Sequence, residues 1–218
     1  LGVWKLDRLD QRRARNALIA AALAASPLDL ASDTLPDDLS TLKNRPVATR
    51  GTYDFDNQLV LKVQNWEGRA GANLITPLLL ADGETAVLID RGWIPGVDNN
   101  PVDRAKYDVS GQVTVEGYVV LSQALLDREV SVPEEPQTEW YRVDIAAIQP
   151  QMPYELLPIY VMQAPEDPQV LPYRPEPVVD LSEGPHLGYA LQWFTFSLGL
   201  GIAYVIYVRK SMQKGESV

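Results

Sequence analysis

The longest uninterrupted run of apolar positions lies near the C-terminus, from Leu187 to Val208, and its 22 residues include no charge. As an α-helix this run would extend about 33 Å, enough to cross a hydrocarbon core of roughly 30 Å. Aromatic residues occur near both ends, and Arg209, Lys210 and Lys214 follow at once, so the positive-inside rule places the C-terminus in the cytoplasm or matrix. The alternative is a buried core helix, which is disfavoured because a soluble helix of this length rarely lacks a charged face.

A second helical pattern covers residues 4–25. Apolar side chains recur at helical spacing, alanine is abundant, and no proline occurs before Pro27. The opening letters LGVW are typical of the end of an apolar helix. We therefore predict that residues 1–25 comprise the end of a first transmembrane helix, largely missing from this chain, and an amphipathic helix.

Between these helices the pattern changes to short, β-branched runs that are typical of strands. The predicted strands cover residues 47–55, 58–66, 73–81, 85–94, 113–121 and 154–163. Asp82-Gly83 separates two of them and predicts a tight hairpin. A surface loop is predicted over 129–138, a short helix within 140–148, and an extended connector over 165–180.

The predicted fold class is an α+β membrane protein. An antiparallel β-rich external domain, residues 26–180, lies between two transmembrane helices. The second of these covers residues 186–208, and residues 209–218 form a cytoplasmic tail.

Composition and charge restrict the kinds of functional site that this chain can form. The chain has no cysteine and one histidine, which excludes disulfides, thiolate metal sites and clusters of histidine ligands. It has no P-loop, no HExxH and no GxSxG motif, so we do not predict an enzyme. The net charge is −10, yet both ends of the chain are basic, so the acidic residues are concentrated in its central part. An acidic domain argues against a nucleic-acid partner, whereas the basic first helix is expected to bind lipid head groups.

Two residues could contact a cofactor. Arg91, in the run Asp90-Arg91-Gly92-Trp93, has a planar fork that matches carboxylates and could hold a propionate. The alternative is a structural Asp90–Arg91 pair with Trp93 in the core. His186 opens the C-terminal helix and could bind haem iron or copper. The alternative is an interfacial histidine that hydrogen-bonds to the nearby backbone.

Three residues of the apolar helix suit contact with a partner helix. Gln192 is a polar side chain within the bilayer and requires an interhelical hydrogen bond. Gly199 would let another helix approach closely, and Trp193 belongs to the aromatic belt.

Several segments follow one another over nearly the whole chain in the order of a known family. They are LGVWKLDR at the start, LKNRPVATRGTYD, GANLITP, VLIDRGWIP, Asn100-Pro101 with Arg104, Trp140-Tyr141-Arg142, and HLGYALQWF. Together they resemble the Surfeit locus protein 1 family of cytochrome c oxidase assembly factors. The ordered set is specific, although each segment alone is weak.

The resemblance implies two transmembrane helices around one external β domain, and an assembly role that helps insert haem a into oxidase subunit I. It also implies that His186 is the candidate haem ligand, since it matches the family's histidine at the start of the second helix. The expected partners are cytochrome c oxidase subunits, above all subunit I, and membrane lipid. The expected location is the bacterial plasma membrane rather than the mitochondrial inner membrane, with the main domain on the periplasmic side. The alternatives are a permanent accessory subunit of an oxidase or respiratory supercomplex and, less favoured, an unrecognised periplasmic enzyme.

Overall fold

The computed structural model describes residues 2–123, 135–167, 169–176 and 181–215, which form two compact units. The helical unit contains residues 1–20 and 179–218, and the β domain contains residues 21–178. The elements in chain order are α1 (Gly2–Ala24), β1 (Pro46–Tyr53), β2 (Leu59–Trp66), β3 (Arg69–Leu79), β4 (Thr85–Pro95), α2 (Pro101–Arg104), β5 (Gln112–Leu121), β6 (Glu139–Trp140), α3 (Ile145–Ile148), β7 (Glu155–Gln163) and α4 (His186–Gly215).

Five strands of the β domain close into a barrel in the order β1-β5-β7-β4-β3. The barrel closes where the end of β3 returns to β1, with Thr52 opposite Leu79 and Tyr53 opposite Leu78. β2 and β6 extend the sheet beyond β3. The pairs are antiparallel as predicted, except that β4 and β7 run parallel, as do β2 and β6.

The barrel closes because Gly51 lacks a side chain. A Cβ atom built at this position would lie 2.3 Å from the carbonyl oxygen of Leu79, far inside van der Waals contact. Glycine therefore allows the backbones of β1 and β3 to approach closely. This glycine lies in the Arg50-Gly51 segment on which the family resemblance partly rests.

Apolar side chains pack on both faces of β4. Alternate residues Val87 and Ile89 belong to a cluster inside the barrel, and Ala86 and Leu88 belong to a cluster on its outer face, beneath α3. Burial on both faces explains why this strand is a continuous apolar run in the sequence.

The predicted elements of the β domain largely agree with the observed ones. Each predicted strand overlaps an observed one, and Asp82-Gly83 turns between β3 and β4, with Gly83 at φ +72°. The predicted short helix is α3. Part of the predicted connector lies along β4, where Trp93 and Tyr173 exchange two backbone hydrogen bonds of 2.8 Å. Residues 129–134 of the predicted loop and residues 168 and 177–180 of the connector lie outside the described part of the chain.

In the helical unit, α4 contains a segment, Leu187–Arg209, that is long and apolar enough to cross a membrane, judged by length and composition. Apart from Ala190, no residue of this segment is buried within the chain, so the alternative of a buried core helix is wrong. The predicted first transmembrane helix stays a prediction.

Candidate functional site

The first predicted site lies at the start of α4, where His186 is the first helical residue. Gly184, at φ +66°, and Pro185 precede it, and the backbone N–H of Tyr189 donates to the carbonyl of Pro185 at 3.1 Å. A glycine at positive φ followed by proline is a sharp chain reversal directly before a helix. The local sequence therefore fixes where the helix starts.

Within the helical unit, α1 lies antiparallel to the first turns of α4. Gly2 contacts the ring of Phe194, since a Cβ built at Gly2 would lie 3.0 Å from that ring, and Lys5 lies over Tyr189 at 4.8 Å from the ring centroid. Further along α1, Arg13 forms an ion pair of 2.7 Å with Glu183. Successive turns of α1 therefore move from the apolar segment of α4 toward the residues that precede it.

The three predicted partner-binding residues are all exposed within this chain. Trp193 is 40% exposed and meets Phe196 edge to face, with ring centroids 6.3 Å apart. Gln192 is exposed, and a Cβ built at Gly199 would have no atom within 4 Å. The structure thus leaves these positions accessible to another helix or to lipid, and the partner-binding role stays a prediction.

The second predicted site, at Arg91, lies in the barrel interior, where the side chain is 2% exposed. Its guanidinium donates to the side-chain oxygen of Gln58 at 3.2 Å and to the backbone carbonyl of Tyr107. It also lies 4.0 Å from a carboxylate oxygen of Asp108 and 4.9 Å from the ring centroid of Tyr53. These contacts stabilise a buried cation, and a propionate would have to displace some of them.

The pKa values of the residues around Arg91 reflect this burial. Burial lowers the pKa of Arg91, and the effect is offset in part by Tyr53 and Asp108. Burial likewise raises the pKa of Tyr53, and the neighbouring guanidinium opposes the rise. The cluster is therefore a satisfied interior network, and nothing in its geometry requires an external anion.

Asp90 and Arg91 do not form the alternative structural pair, because adjacent strand residues point to opposite faces of the sheet. The Asp90 carboxylate instead accepts hydrogen bonds from the amide of Asn73 at 2.9 and 3.1 Å and from the backbone N–H of Gly92 at 3.0 Å. Burial raises the pKa of Asp90 to about 6 despite these bonds. The placement of Trp93 in the core is confirmed.

Sequence reasoning missed the groups that surround these residues. Asp108, the carboxylate nearest to Arg91, lies 17 positions later in a loop with no distinctive pattern. The contact of Lys5 with Tyr189 was also missed, because it depends on the packing of two distant helices. The one usable signal was local: basic residues cluster in a helix that also carries tryptophan.

The residues of this chain supply part of what a haem site requires. His186 is the chain's one histidine, and no group of three or more His, Cys, Asp or Glu side chains that could hold a metal ion occurs among the described residues. Two cavities of the β domain, at Pro165–Arg174 and around Arg50, are lined by β-domain residues alone. A haem at His186 would therefore lie beside a largely exposed apolar helix of this chain.

Comparison with known proteins gives information on family membership that the geometry of the site does not. The model of the SURF1 family matches residues 1–198. A SURF1-like protein of Monosiga brevicollis is 26% identical over 224 residues, covering 96% of this chain and 82% of that protein. Surfeit locus protein 1 of Mus musculus is 29% identical over 164 residues, and that of Homo sapiens 28% identical over 165 residues. Each match covers 68% of this chain, which spans about half the length of the two mammalian relatives, 52% and 53%.

Proposed function

The chain belongs to the SURF1 family, and from this premise we propose that it acts in the assembly of haem–copper cytochrome c oxidase, anchored by α4 in the membrane that holds the oxidase. The function of the β domain in this proposal is to present a stable folded surface beside the membrane. The function of the helical unit is to meet lipid and the oxidase subunits.

The uncovered face of α4 carries this proposal. The segment HLGYALQWF, which contributes to the family match, lies at the start of this helix, where Leu191 is 68% exposed. By contrast, segments in the β domain are used internally: Gly51 closes the barrel, and Asn100 caps α2 by accepting from the N–H of Asp103 at 3.0 Å. Exposed apolar area costs about 25 cal/mol per Å² in water. We therefore expect lipid or another protein's helix to cover α4.

We further propose that His186 would hold the iron of haem a for transfer of the haem to subunit I. The support is the position of the chain's one histidine at the first residue of a helix whose apolar segment is largely exposed within the chain. A haem bound there would be enclosed only when a second protein docks beside α4. This favours transient handling of a cargo over permanent storage.

A gene deletion with complementation tests the proposed assembly role. We expect the deletion to lower the haem a content and activity of the membrane-bound oxidase, and the wild-type gene to restore both. An unaffected oxidase in the deletion strain would refute the assembly role.

The ligand role has its own readout. The purified chain, produced where haem a is available, should lose haem stoichiometry and its axial-ligand spectrum on His186→Ala. Unchanged stoichiometry and spectrum would refute the ligand role and leave the assembly role intact. If instead the chain co-purifies with mature, active oxidase in a fixed ratio, it is a permanent accessory subunit.

A further inference from the structure

Two cations at the start of α1 have aromatic neighbours, and one of them, Lys5, contacts the start of the apolar segment of α4. The ammonium of Lys5 lies 5.0 Å from the ring centroid of Trp4 and 4.8 Å from that of Tyr189. The guanidinium of Arg8 lies 5.6 Å from the Trp4 ring and donates to Gln11 at 3.1 Å. Among the described residues, no carboxylate lies within ion-pair distance of either cation, whereas Arg13 has Glu183 at 2.7 Å.

The level of these cations along α4 follows from the packing. Lys5 faces Tyr189, two residues inside the start of the apolar segment. At 1.5 Å per residue, Arg8 lies about 5 Å further out along α1, and Arg15 about 15 Å. The head-group layer is roughly 5–7 Å thick on each side of the hydrocarbon core. In an inserted α4, Lys5 therefore lies at the inner edge of that layer, Arg8 lies within it, and Arg15 lies beyond it.

We propose that Lys5 and Arg8, flanked by Trp4 and Tyr189, form a binding site for the phosphate of an anionic phospholipid. The guanidinium fork of Arg8 matches phosphate oxygens, and the ammonium of Lys5 adds a point charge. Trp4 and Tyr189 are both exposed, and their amphipathic rings suit the head-group level. The inference rests on the proposed membrane insertion of α4.

Charge selects the lipid class. A phosphatidylcholine head group brings a quaternary ammonium close to two cations that lack a carboxylate, whereas phosphatidylglycerol brings a net negative charge. Each basic residue near the surface of an anionic membrane contributes about 1 kcal/mol to the attraction, or roughly fivefold in binding. Two such residues therefore suffice to give a clear preference for an anionic lipid.

The test uses the full chain in nanodiscs that contain equal amounts of phosphatidylglycerol and phosphatidylcholine, analysed by native mass spectrometry for retained lipid. We expect the wild-type chain to retain more phosphatidylglycerol than phosphatidylcholine, and Arg8→Gln to lower the ratio of the two retained lipids about fivefold. Lys5→Gln with Arg8→Gln should lower it further. Arg15→Gln, which removes one arginine from the same helix beyond the head-group layer, is the matched control and should change it less than twofold.

The inference would be overturned by no preference in the wild-type chain, by an equal loss in Arg8→Gln and Arg15→Gln, or by displacement of the lipid by soluble glycerophosphoglycerol, which would indicate a site for free phosphates. A loss of the preference when an acidic peptide is added would likewise indicate a protein ligand instead. A chain that does not insert into nanodiscs would contradict the proposed spanning by α4, whereas a chain that inserts without lipid preference would contradict this inference alone.

Discussion

Asp90 is a buried carboxyl whose ionisation we expect to weaken the β domain. Its side chain is 3% exposed, and burial raises the pKa of Asp90 to about 6 although Asn73 and Gly92 donate hydrogen bonds to it. Unfolding returns the carboxyl to water, where aspartate has a pKa of about 3.9. Between these two values the folded state keeps a proton that the unfolded state has lost.

The sign and size of the effect follow from this difference. Because the folded pKa is the higher one, the stabilising contribution is complete below about pH 4 and is lost as the pH rises through about 6. A shift of about two units at 1.36 kcal/mol per unit corresponds to about 3 kcal/mol. That loss is a large share of the roughly 5–15 kcal/mol that stabilises an ordinary domain.

Urea unfolding of the full chain in detergent micelles measures the effect. The fluorescence of Trp93, which is buried in the β domain, reports unfolding of that domain. Wild type and Asp90→Asn are compared at pH 4 and pH 7, and their difference in unfolding free energy should shift by about 3 kcal/mol in favour of the variant at pH 7. Taking the difference cancels the titration of the other carboxyls.

Asp82→Asn is the matched control, and it should shift the pH dependence in the opposite direction. The Asp82 carboxylate accepts hydrogen bonds from the backbone N–H of Thr85, from the Thr85 side chain and from the backbone N–H of Glu84, and these bonds lower the pKa of Asp82. Its stabilising contribution is therefore present above the unfolded pKa and is lost as the pH falls. If the difference between wild type and Asp90→Asn stays constant within about 1 kcal/mol, Asp90 ionises normally and the reasoning is refuted.

Three further changes test the β domain. Gly92→Ala places a methyl group 2.6 Å from the carbonyl oxygen of Tyr173 at φ +112°, so we expect roughly 2 kcal/mol or more of lost stability in the same urea assay. Arg91→Lys keeps the charge but loses the planar fork, which should cost about 1–3 kcal/mol with no change in any haem spectrum; a changed spectrum at unchanged stability would instead favour the propionate contact. Gly51→Val should prevent β1 from meeting Leu79, so limited proteolysis should degrade the variant rapidly; wild-type resistance would contradict the role of this glycine in barrel closure.

The elements of the fold could be predicted from local pattern. Strand alternation and the Asp82-Gly83 turn depend on neighbours in sequence, so β3, the hairpin and β4 were placed correctly. The length and lack of charge of residues 187–208 identified α4 in the same way. None of these predictions required knowledge of which distant strands pair.

The arrangement of the elements could not be predicted, because it depends on long-range contacts. Barrel closure requires β1 to meet β3 and β7 to insert beside β4 in parallel, and local pattern specifies neither pairing. The same limit applies to the candidate site. Asp90 and Arg91 look like a pair in sequence, yet the strand geometry sends one to Asn73 and the other to Asp108.

We expect substitutions in the two units of this chain to have different kinds of effect. Arg91 is buried and satisfied, so its variants should reduce function only as far as they reduce stability. Gln192 and Trp193 are exposed on α4, so their variants should leave stability unchanged and reduce oxidase assembly only through a lost partner contact. Measuring unfolding free energy and assembly on the same variants therefore locates the function. If assembly falls with stability for every variant, the β domain carries the function. If α4 variants lose assembly at wild-type stability, the helical unit carries it.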